Sequence, residues 1–451
     1  MEHKIPSKNI PACAIELVGT LWNKGYRAYF VGGCVRDSLM GKPPKDWDIC
    51  TDAMPEQMKA IFHDRKLIET GLKHGTLTVV GDDGENYEIT TFRADGVYSD
   101  GRHPDSVAFV SSLEEDLARR DFTINAMAYD SSVGVVDPFG GRDDLENKVI
   151  RCVGNPDERF NEDALRILRA LRFSSVYSFS IEENTAAAIH RNVSLLNRIS
   201  AERIRDELCK MLAGSNVLQV LLDYSDVISV IIPEMRPCIG FEQHNRYHQY
   251  TVYDHIAHAV ANYTGGDPVV NVALLLHDIG KPECYTEDER GGHFYGHGTP
   301  SARIAEEVVR RLRFSREEQE AIVELVREHD SVIEPQPKVV RRWLNRIGED
   351  RFRQLLDIRL ADILAHAEGT QESRIERRNA LKAILEGVIA ERQCFSMRDL
   401  AVNGNDIMRE LGIGPGKRVG EILRHLLDAV IAGDLPNSWE ALISEAKSSN
   451  I

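Results

Sequence analysis

Residues 31–51 read VGGCVRDSLMGKPPKDWDICT and end on two aspartates one residue apart. The last part of this stretch has the composition of a short strand, and on a strand Asp46 and Asp48 leave the same face. Neighbouring carboxylates repel each other unless a cation lies between them, and oxygen ligands suit Mg²⁺. The pair therefore predicts a site for one or two Mg²⁺ ions, which can hold phosphates and activate an attacking hydroxyl group.

Other groups around the aspartate pair also suit phosphate chemistry. Gly32 and Gly33 allow backbone N–H groups to approach a phosphate closely, and Arg36 offers a fork-shaped guanidinium. Glu88 falls in a strand-like run, NYEITTF, and can supply a third carboxylate from a neighbouring strand. The alternative is an acidic surface loop after a glycine turn, because two aspartates at this spacing often occur by chance.

The composition limits the class of protein. A chain of 451 residues is long enough for about two to four domains. Its formal net charge of −16 argues against a general nucleic-acid coat, although a local basic groove remains compatible with it. Eight cysteines without a Cys-x-x-Cys pair predict free thiols, and no run approaches the roughly 18 apolar residues of a membrane span. We therefore expect a soluble protein of the cytoplasm.

The pattern of elements changes along the chain. Residues 1–150 combine helical periodicity with short β-branched runs, which predicts a small mixed α/β head. Helical patterns then predominate, as a neck over 151–245, a histidine-containing body over 246–366 and a tail over 367–451. The predicted fold class is therefore α+β, with a small α/β head followed by an all-helical remainder.

A charged helix is predicted in the neck, at ERFNEDALRILRALRF (158–173). Four side chains spaced three residues apart stack along one face of this helix: Asp163, Arg166, Arg169 and Arg172. A solvated, salt-bridged helix is the usual explanation of such a face. We interpret it instead as a charged slot, in which the aspartate and an arginine bind the edge of a base and the other arginines bind phosphates.

Four motifs together resemble the class II tRNA nucleotidyltransferases and their relatives, the bacterial poly(A) polymerases, within the polymerase-β superfamily. They are the GGxVRD stretch with its Asp-x-Asp, RRDFTINA at 119–126, DPFGGRDDL at 137–145 and EDALR at 162–166. They follow in the order of the family over roughly the first 210 residues. The resemblance implies a polymerase-β-like nucleotidyltransferase head.

The resemblance also implies roles for the residues of the first motif. Asp46 and Asp48 would bind the two catalytic Mg²⁺ ions, with Glu88 as the further carboxylate of the catalytic set. Gly33 and Arg36 would contact the triphosphate of the incoming nucleotide.

The later motifs would hold the rest of the nucleotide. Arg120 and Asp121 would bind phosphate and ribose. Asp163 and Arg166 would read the edge of the incoming base, and Arg169 and Arg172 would support the phosphates. Because a mismatched base leaves buried polar groups unpaired, such a site can select CTP and ATP over other nucleotides.

Three segments favour addition of a complete CCA end over the other activities of this family. Enzymes that add only CC lack a flexible loop such as RADGVYSDGRHPDSVAFV (93–110), and ETGLKHGTLTVVG (69–81) is similar to CCA-adding members. Residues 399–437 resemble the tail that contacts the tRNA elbow, with Lys417 and Arg418 suited to phosphates. The expected activity is template-independent CCA addition to tRNA with release of pyrophosphate, and poly(A) addition to RNA is the alternative.

A second set of candidate ligands lies in the helical body. Imidazole and carboxylate together suit a transition metal or Mg²⁺. The segment is similar to the HD phosphohydrolase superfamily, whose pattern is matched by His255, His277, Asp278 and Asp362. His297 and His329 fall where two-metal members have additional ligands. The resemblance implies a divalent metal here and, in an active site, hydrolysis of a phosphoester such as a 2′,3′-cyclic end.

Two further functions fit parts of the sequence. A chain that is chiefly a metal-dependent phosphohydrolase would use its head as a nucleotide sensor, yet a sensor need not keep the metal ligands of the head. A non-catalytic RNA-binding scaffold conflicts with the acidic charge. We therefore expect tRNA, CTP and ATP as partners, no membrane, Mg²⁺ at the head and a divalent metal in the body.

Overall fold

The computed structural model describes residues 5–95, 107–391 and 396–448. The chain divides into two compact units, Met1–Pro233 and Glu234–Ile451. The first contains a mixed sheet with helices, and the second is almost wholly helical. The predicted α+β class, with an α/β head and a helical remainder, is thus confirmed. The finer domain bounds at 150, 245 and 366 stay predictions.

The head is organised around one mixed sheet. Its strands are β1 (Ala28–Val31), β2 (Ile49–Thr51), β3 (Leu67–Ile68), β4 (Thr76–Val80), β5 (Asn86–Thr91), β6 (Arg93–Asp95), β7 (Val107–Phe109), β8 (Ala128–Asp130) and β9 (Gly134–Val136). Seven of them form a sheet of order β3-β4-β5-β2-β1-β8-β9, and β6 pairs with β7. These two strands are the ends of the loop predicted over 93–110, whose remaining residues lie outside the described ranges.

Strand β2 brings two carboxylates together. It runs parallel to β5 with Ile49 opposite Ile89. Asp48 and Glu88 directly precede this pair, so they are neighbours at the same edge of the two strands. The prediction that a third carboxylate comes from a neighbouring strand therefore agrees with the register.

The aspartates themselves precede β2 rather than lie on it. Pairing with β1 begins at Ile49, opposite Phe30, and the carbonyl of Asp48 accepts from the N–H of Val31 at 3.0 Å. Trp47, between the two aspartates, is buried and packs edge-on against Phe30 with ring centroids 5.1 Å apart. The strand position expected for the aspartates is therefore wrong, although burial of Trp47 still directs its two neighbours away from the core.

The helices of the first unit cover the sheet and form the neck. They are α1 (Ala12–Asn23), α2 (Gly33–Leu39), α3 (Pro55–Ile61), α4 (Leu113–Ala118), α5 (Gly141–Glu146), α6 (Pro156–Glu162), α7 (Leu165–Tyr177), α8 (Glu183–Asn192), α9 (Ala201–Leu212), α10 (Val217–Asp223) and α11 (Ser225–Ile231). A short parallel ribbon joins β10 (Val149–Ile150) to β11 (Ser180–Ile181).

The single charged helix predicted over 158–173 is two helices, α6 and α7. Asp163 between them has extended backbone dihedrals, φ −139° and ψ 103°. Its Oδ1 accepts a hydrogen bond from the N–H of Leu165 at 3.0 Å, a local bond that competes with a continuous helix. The prediction that Asp163 shares a helix face with the arginines is therefore wrong, whereas Arg166, Arg169 and Arg172 do lie on α7.

The second unit consists mainly of helices. They are α12 (Val252–Asn262), α13 (Pro268–Leu276), α14 (Gly298–Arg311), α15 (Arg316–Glu328), α16 (Pro337–Ile347), α17 (Glu349–Leu364), α18 (Glu372–Ala390), α19 (Gly404–Leu411), α20 (Lys417–Ala432) and α21 (Trp439–Ser448). One hairpin is added by β12 (Thr286–Asp288) and β13 (Gly291–His293). Over the described ranges, no helix is both long and apolar enough to cross a membrane.

Helix α13 carries the histidine motif into the interior. Every residue from Val270 to Leu276 is buried, and α13 packs against α12, α15 and α17. The segment directly after it, His277-Asp278, is consequently also buried. The apolar run VALLL (272–276) thus carries the polar side chains of His277 and Asp278 into the core, where each requires a partner.

Candidate active sites

The head carboxylates differ in their exposure. Asp46 and Glu88 are exposed, and Asp48 is partly buried. Burial raises the pKa of Asp48 to about 6, and the charges of Asp46 and Glu88 add to this effect. The charge of Arg120 opposes this rise but does not cancel it, so the three mutually repelling oxygen donors fit a hard divalent cation. This donor set is the one that the sequence predicts for Mg²⁺.

The glycine turn lies directly against an arginine of the RRD motif. Gly32 has φ +79°, which favours glycine, and its N–H donates to the carbonyl of Met127 at 3.1 Å. A Cβ at this position would come within 3.0 Å of Arg120 Nη1. Arg120 also pairs with Asp116 at 3.2 Å. The backbone turn and one guanidinium are therefore placed together, as a phosphate site requires.

Arg36 joins the first motif to the neck. Its Nη1 donates to Asn125 Oδ1 at 2.5 Å and its Nε to Asp37 at 2.9 Å. The guanidinium lies 5.3 Å from the ring centroid of Phe173 and 4.9 Å from that of Tyr177, both on α7. Because the side chain is buried, its described contacts tie α2 to α7, and its predicted contact with a triphosphate stays a prediction.

Asp121 anchors a second arginine of the neck. Its Oδ1 accepts from Asn125 Nδ2 at 3.0 Å and from the N–H of Phe122 at 2.8 Å, while its Oδ2 accepts from Arg169 Nε at 2.8 Å. Burial would raise the pKa of Asp121, but the Arg169 charge and these hydrogen bonds hold it well below the usual range. Asp121 is thus ionised and positions Arg169, and its predicted contact with ribose is not tested.

The remaining residues of the charged slot have partners that the sequence did not indicate. Asp163 Oδ2 accepts from Arg203 Nη2 at 2.7 Å, across 40 residues of chain. Arg166 donates to Glu162 at 2.6 Å and to the carbonyl of Arg119 at 3.0 Å. Arg172 pairs with Glu207 at 3.1 Å. The side chains of the slot are therefore held in place by hydrogen bonds and ion pairs to α6, to α9 and to the RRD motif.

The histidine cluster of the second unit forms two ligand groups that share Asp278. One consists of His255, His277, Asp278 and Asp362, the other of Asp278, His297 and His329, and the ligand atoms of each group lie within 4.8 Å of one another. Among the residues that the structure describes, the three head carboxylates do not form such a group. All six side chains that the sequence predicts for this site are thus brought together.

The two oxygens of Asp278 face different histidines. Oδ2 lies 3.3 Å from His255 Nε2 and 3.2 Å from His277 Nε2, whereas Oδ1 lies 3.1 Å from His297 Nε2. His329 Nε2 is 3.6 Å from the same Oδ1. Asp278 would therefore supply one carboxylate oxygen to each of the two ligand groups.

The ring nitrogens show that the cluster fits cations. The Nδ1 atoms of His277, His297 and His329 lie 2.7, 2.8 and 2.7 Å from backbone carbonyls, which can only accept, so each Nδ1 carries a proton. A metal ion binds the unprotonated Nε2 of a neutral ring, and in that state the three Nε2 atoms face other acceptors: His297 Nε2 and His329 Nε2 lie 2.9 Å apart, and His277 Nε2 lies 3.2 Å from Asp278 Oδ2. A cation at these atoms would satisfy all three.

Side chains next to the cluster were missed by the sequence reasoning. Lys281 Nζ lies 2.6 Å from Asp278 and 2.9 Å from Gln243 Oε1. His366 Nδ1 donates to the carbonyl of Asp362 at 2.9 Å, and His248 packs against His366 with ring centroids 4.6 Å apart. In the sequence, the one signal for these side chains was the position of Lys281, three residues after Asp278. A cavity of 690 Å³ adjoins these groups.

Three family profiles match the chain. They describe the poly(A) polymerase head domain at residues 28–151, the RNA- and SrmB-binding site of polymerase A at 178–239 and the tRNA nucleotidyltransferase domain 2 at 299–446. The head with its sheet, its carboxylates and its glycine turn therefore defines a nucleotidyltransferase.

Relatives and a solved structure narrow this class. The CCA-adding enzyme of Ligilactobacillus salivarius (strain UCC118) is 34% identical over 438 residues, which cover 96% of this chain and 95% of that protein. That of Lactobacillus helveticus (strain DPC 4571) is 51% identical over 213 residues, 47% of this chain and 53% of that protein. The crystal structure of the Bacillus stearothermophilus CCA-adding enzyme in complex with CTP superposes with a TM-score of 0.71 at 30% identity and covers 96% of both chains. The chain belongs to the family of CCA-adding enzymes.

Proposed function

We propose that this chain adds the 3′-terminal CCA to tRNA, using CTP and ATP and releasing pyrophosphate, in the cytoplasm. The observation that carries the proposal is the convergence of Asp48 and Glu88 at paired strands, next to a glycine turn that contacts Arg120. The similarity to CCA-adding enzymes over nearly the whole chain supports the same activity and favours it over poly(A) addition.

In this proposal the oxygen donors of Asp46, Asp48 and Glu88 hold Mg²⁺. When bound there, Mg²⁺ lowers the pKa of the attacking hydroxyl of RNA and neutralises the leaving group. The chain itself orients the nucleotide: the N–H groups at Gly32 and Gly33 and the Arg120 guanidinium bind the triphosphate. Asp163 and Arg166 present an acceptor and a donor to the base, and Arg203 fixes the direction of the Asp163 carboxylate.

The test uses a tRNA transcript without its 3′ CCA, together with Mg²⁺ and labelled CTP alone, ATP alone or both. Two added nucleotides with CTP, and a third only when ATP is present, are expected. Asp48→Asn should abolish every step, whereas the matched control Asp64→Asn, an exposed carboxylate on the same head, should not. A long ladder with ATP alone would instead establish a poly(A) polymerase.

We infer a second activity, hydrolysis of a phosphoester at the histidine cluster with divalent metal ions as cofactor. The observation that favours it is the set of Nε2 atoms directed at Asp278, next to an accessible cavity. Bound metal ions would activate water and neutralise the phosphate. Phosphate release from 2′,3′-cyclic and ordinary nucleotide esters, and its loss in His277→Ala, would support this activity. Release that persists in the variant would exclude the cluster as its source.

A further inference from the structure

Three arginines along the cavity of the histidine cluster have no carboxylate partner within the described part of the chain. Arg246, Arg290 and Arg374 all line the cavity, together with Lys281. On the same helix as Arg374, by contrast, Arg377 lies outside the cavity and pairs with Glu334 at 2.7 Å. Guanidinium groups that lack a carboxylate partner and are gathered around one cavity indicate an anionic ligand.

Arg374 is held at a fixed position relative to the metal ligands. His366 Nδ1 donates to the carbonyl of Asp362 at 2.9 Å, so His366 Nε2 must accept, and it accepts from Arg374 Nη1 at 2.8 Å. The guanidinium is therefore one imidazole ring away from a residue of the cluster. The hydrogen bond to His366 uses one of its N–H groups and leaves others for a ligand.

Tyr247 holds the two arginines Arg246 and Arg374 together. Their guanidinium carbons lie 4.9 and 5.4 Å from the centroid of its ring, and Arg246 Nη2 donates to its hydroxyl at 2.7 Å. The carbonyl of Tyr247 accepts from the N–H of Ala367 at 2.9 Å, which ties this loop to the segment after Asp362. The arginines therefore form a built surface beside the cluster rather than two independent side chains.

An aromatic face also lines the cavity. The side chain of Tyr295 is 79% exposed, and its ring stacks on His293 with centroids 5.1 Å apart and an interplanar angle of 13°. An exposed, pre-stacked aromatic pair of this kind can receive the flat face of a nucleobase. The volume of 690 Å³ suits a nucleotide-sized molecule.

We propose that Arg246 and Arg374 form a second phosphate subsite, and that the histidine cluster hydrolyses nucleosides that carry two phosphate groups. One phosphate lies at the cluster beside Lys281 while the other binds the arginines. In the reaction, the oxygen of a water molecule bonds to phosphorus, and the P–O bond to the ribose oxygen breaks, or in ADP the bond to the oxygen that bridges the two phosphates. The leaving oxygen takes a proton from that water. The products are inorganic phosphate and the nucleoside monophosphate. This proposal rests on the proposed phosphohydrolase activity of the cluster.

The test compares adenosine 3′,5′-bisphosphate and ADP with AMP as probes, in the full chain with Asp48→Asn to silence the head. Phosphate release and bound metal are measured in Arg374→Gln and in the matched control Arg377→Gln, which removes an arginine of the same helix outside the cavity. We expect kcat/KM for a bisphosphate to exceed that for AMP by about tenfold or more. Arg374→Gln should remove this preference by raising KM for the bisphosphates, with metal content unchanged.

Several outcomes would overturn the subsite. One is equal turnover of all three probes, and another is a preference for bisphosphates that survives in Arg374→Gln. The third is an equal loss of turnover for AMP and for the bisphosphates in that variant. If no probe is hydrolysed, the phosphohydrolase activity itself fails. Calorimetric binding of adenosine 3′,5′-bisphosphate then still decides the subsite: weaker binding in Arg374→Gln but not in Arg377→Gln supports it, and equal binding in both rejects it.

Discussion

The two candidate metal sites of this chain differ in the type of ligand atom and in burial. The head has three oxygen donors, two of them exposed, whose charges repel one another. The second unit has four imidazoles and two carboxylates, and most of these side chains are completely buried. An open oxygen site allows Mg²⁺ to arrive with a nucleotide, whereas a buried nitrogen-rich site suits a resident metal.

The pKa values of the carboxylates also differ between the two sites. In the head, burial and like charges raise the pKa of Asp48 to about 6. In the cluster, burial would raise the pKa of Asp278, but His277 and Lys281 hold it well below its usual range. At Asp48 the charge of Arg120 does not cancel the effect of burial and like charges, while Asp278 has cationic partners that do so before any metal binds.

The sharpest test of this comparison is whether the two sites are independent. Asp46→Ala should reduce CCA addition by about a thousandfold or more, because it removes a ligand of the reacting groups. Single-turnover extension of a tRNA lacking CCA measures this loss, and filter binding should show tRNA affinity within about twofold of wild type. His277→Ala should leave extension unchanged. A large loss in His277→Ala would show that the two sites act as one.

The next effect concerns stability at the cluster. Asp278→Asn should lower the free energy of unfolding by about 3–5 kcal/mol, because it leaves Lys281 buried without its charged partner. Urea denaturation of the metal-free protein measures this change. Metal content in the same variant should fall because Asp278 belongs to both ligand groups, and an unchanged content would argue against Asp278 as a shared ligand.

Replacing an aspartate of the head should have the opposite effect on the free energy of unfolding. Asp48→Asn removes a raised-pKa carboxylate, so it should stabilise the metal-free protein by about 1–2 kcal/mol at pH 7.5 while abolishing extension. Because native Asp48 takes up a proton as pH falls through about 6, the advantage of the variant should shrink toward pH 4.5. Thermal unfolding at both pH values measures it, and a variant less stable than wild type at pH 7.5 contradicts the account of the head.

The same pKa predicts how Mg²⁺ dependence changes with pH. Below about pH 6 a proton competes with Mg²⁺ for Asp48, and above that pH the carboxylate is free. The Mg²⁺ concentration for half-maximal extension should therefore rise about tenfold between pH 7.5 and pH 5. Equal Mg²⁺ dependence at both values would contradict the raised pKa.

The smallest expected effect is on nucleotide choice. Arg203→Gln leaves Asp163 in place but removes the bond at 2.7 Å that directs its carboxylate. We expect the preference for CTP over UTP in the first addition to fall by about fivefold, with overall stability little changed. The ratio of kcat/KM for the two nucleotides measures this. Arg205→Gln on the same helix, whose partner is Asp206, is the control.

Local patterns predicted much of both sites. Runs of β-branched residues indicated β4 and β5, and the resemblance to the HD phosphohydrolases indicated all six members of the cluster. Contacts between distant segments were not predictable in this way. Arg36 with Asn125 spans 89 residues and Arg203 with Asp163 spans 40, and neither pair leaves a periodic signal. The break at Asp163 was missed because a local side-chain bond overrode helical spacing.

The carbonyls that fix the histidine rings have a further consequence. The backbone carbonyls of Leu274 and Val326 accept from His277 and His329 and lie in the last turns of α13 and α15. Carbonyls at the end of a helix have no N–H donor within the helix itself. His277 and His329 therefore close the ends of two helices with the same rings that face Asp278. Replacing either histidine would fray a helix as well as remove a ligand, so the ends of these helices and the cluster should become ordered in one step of folding.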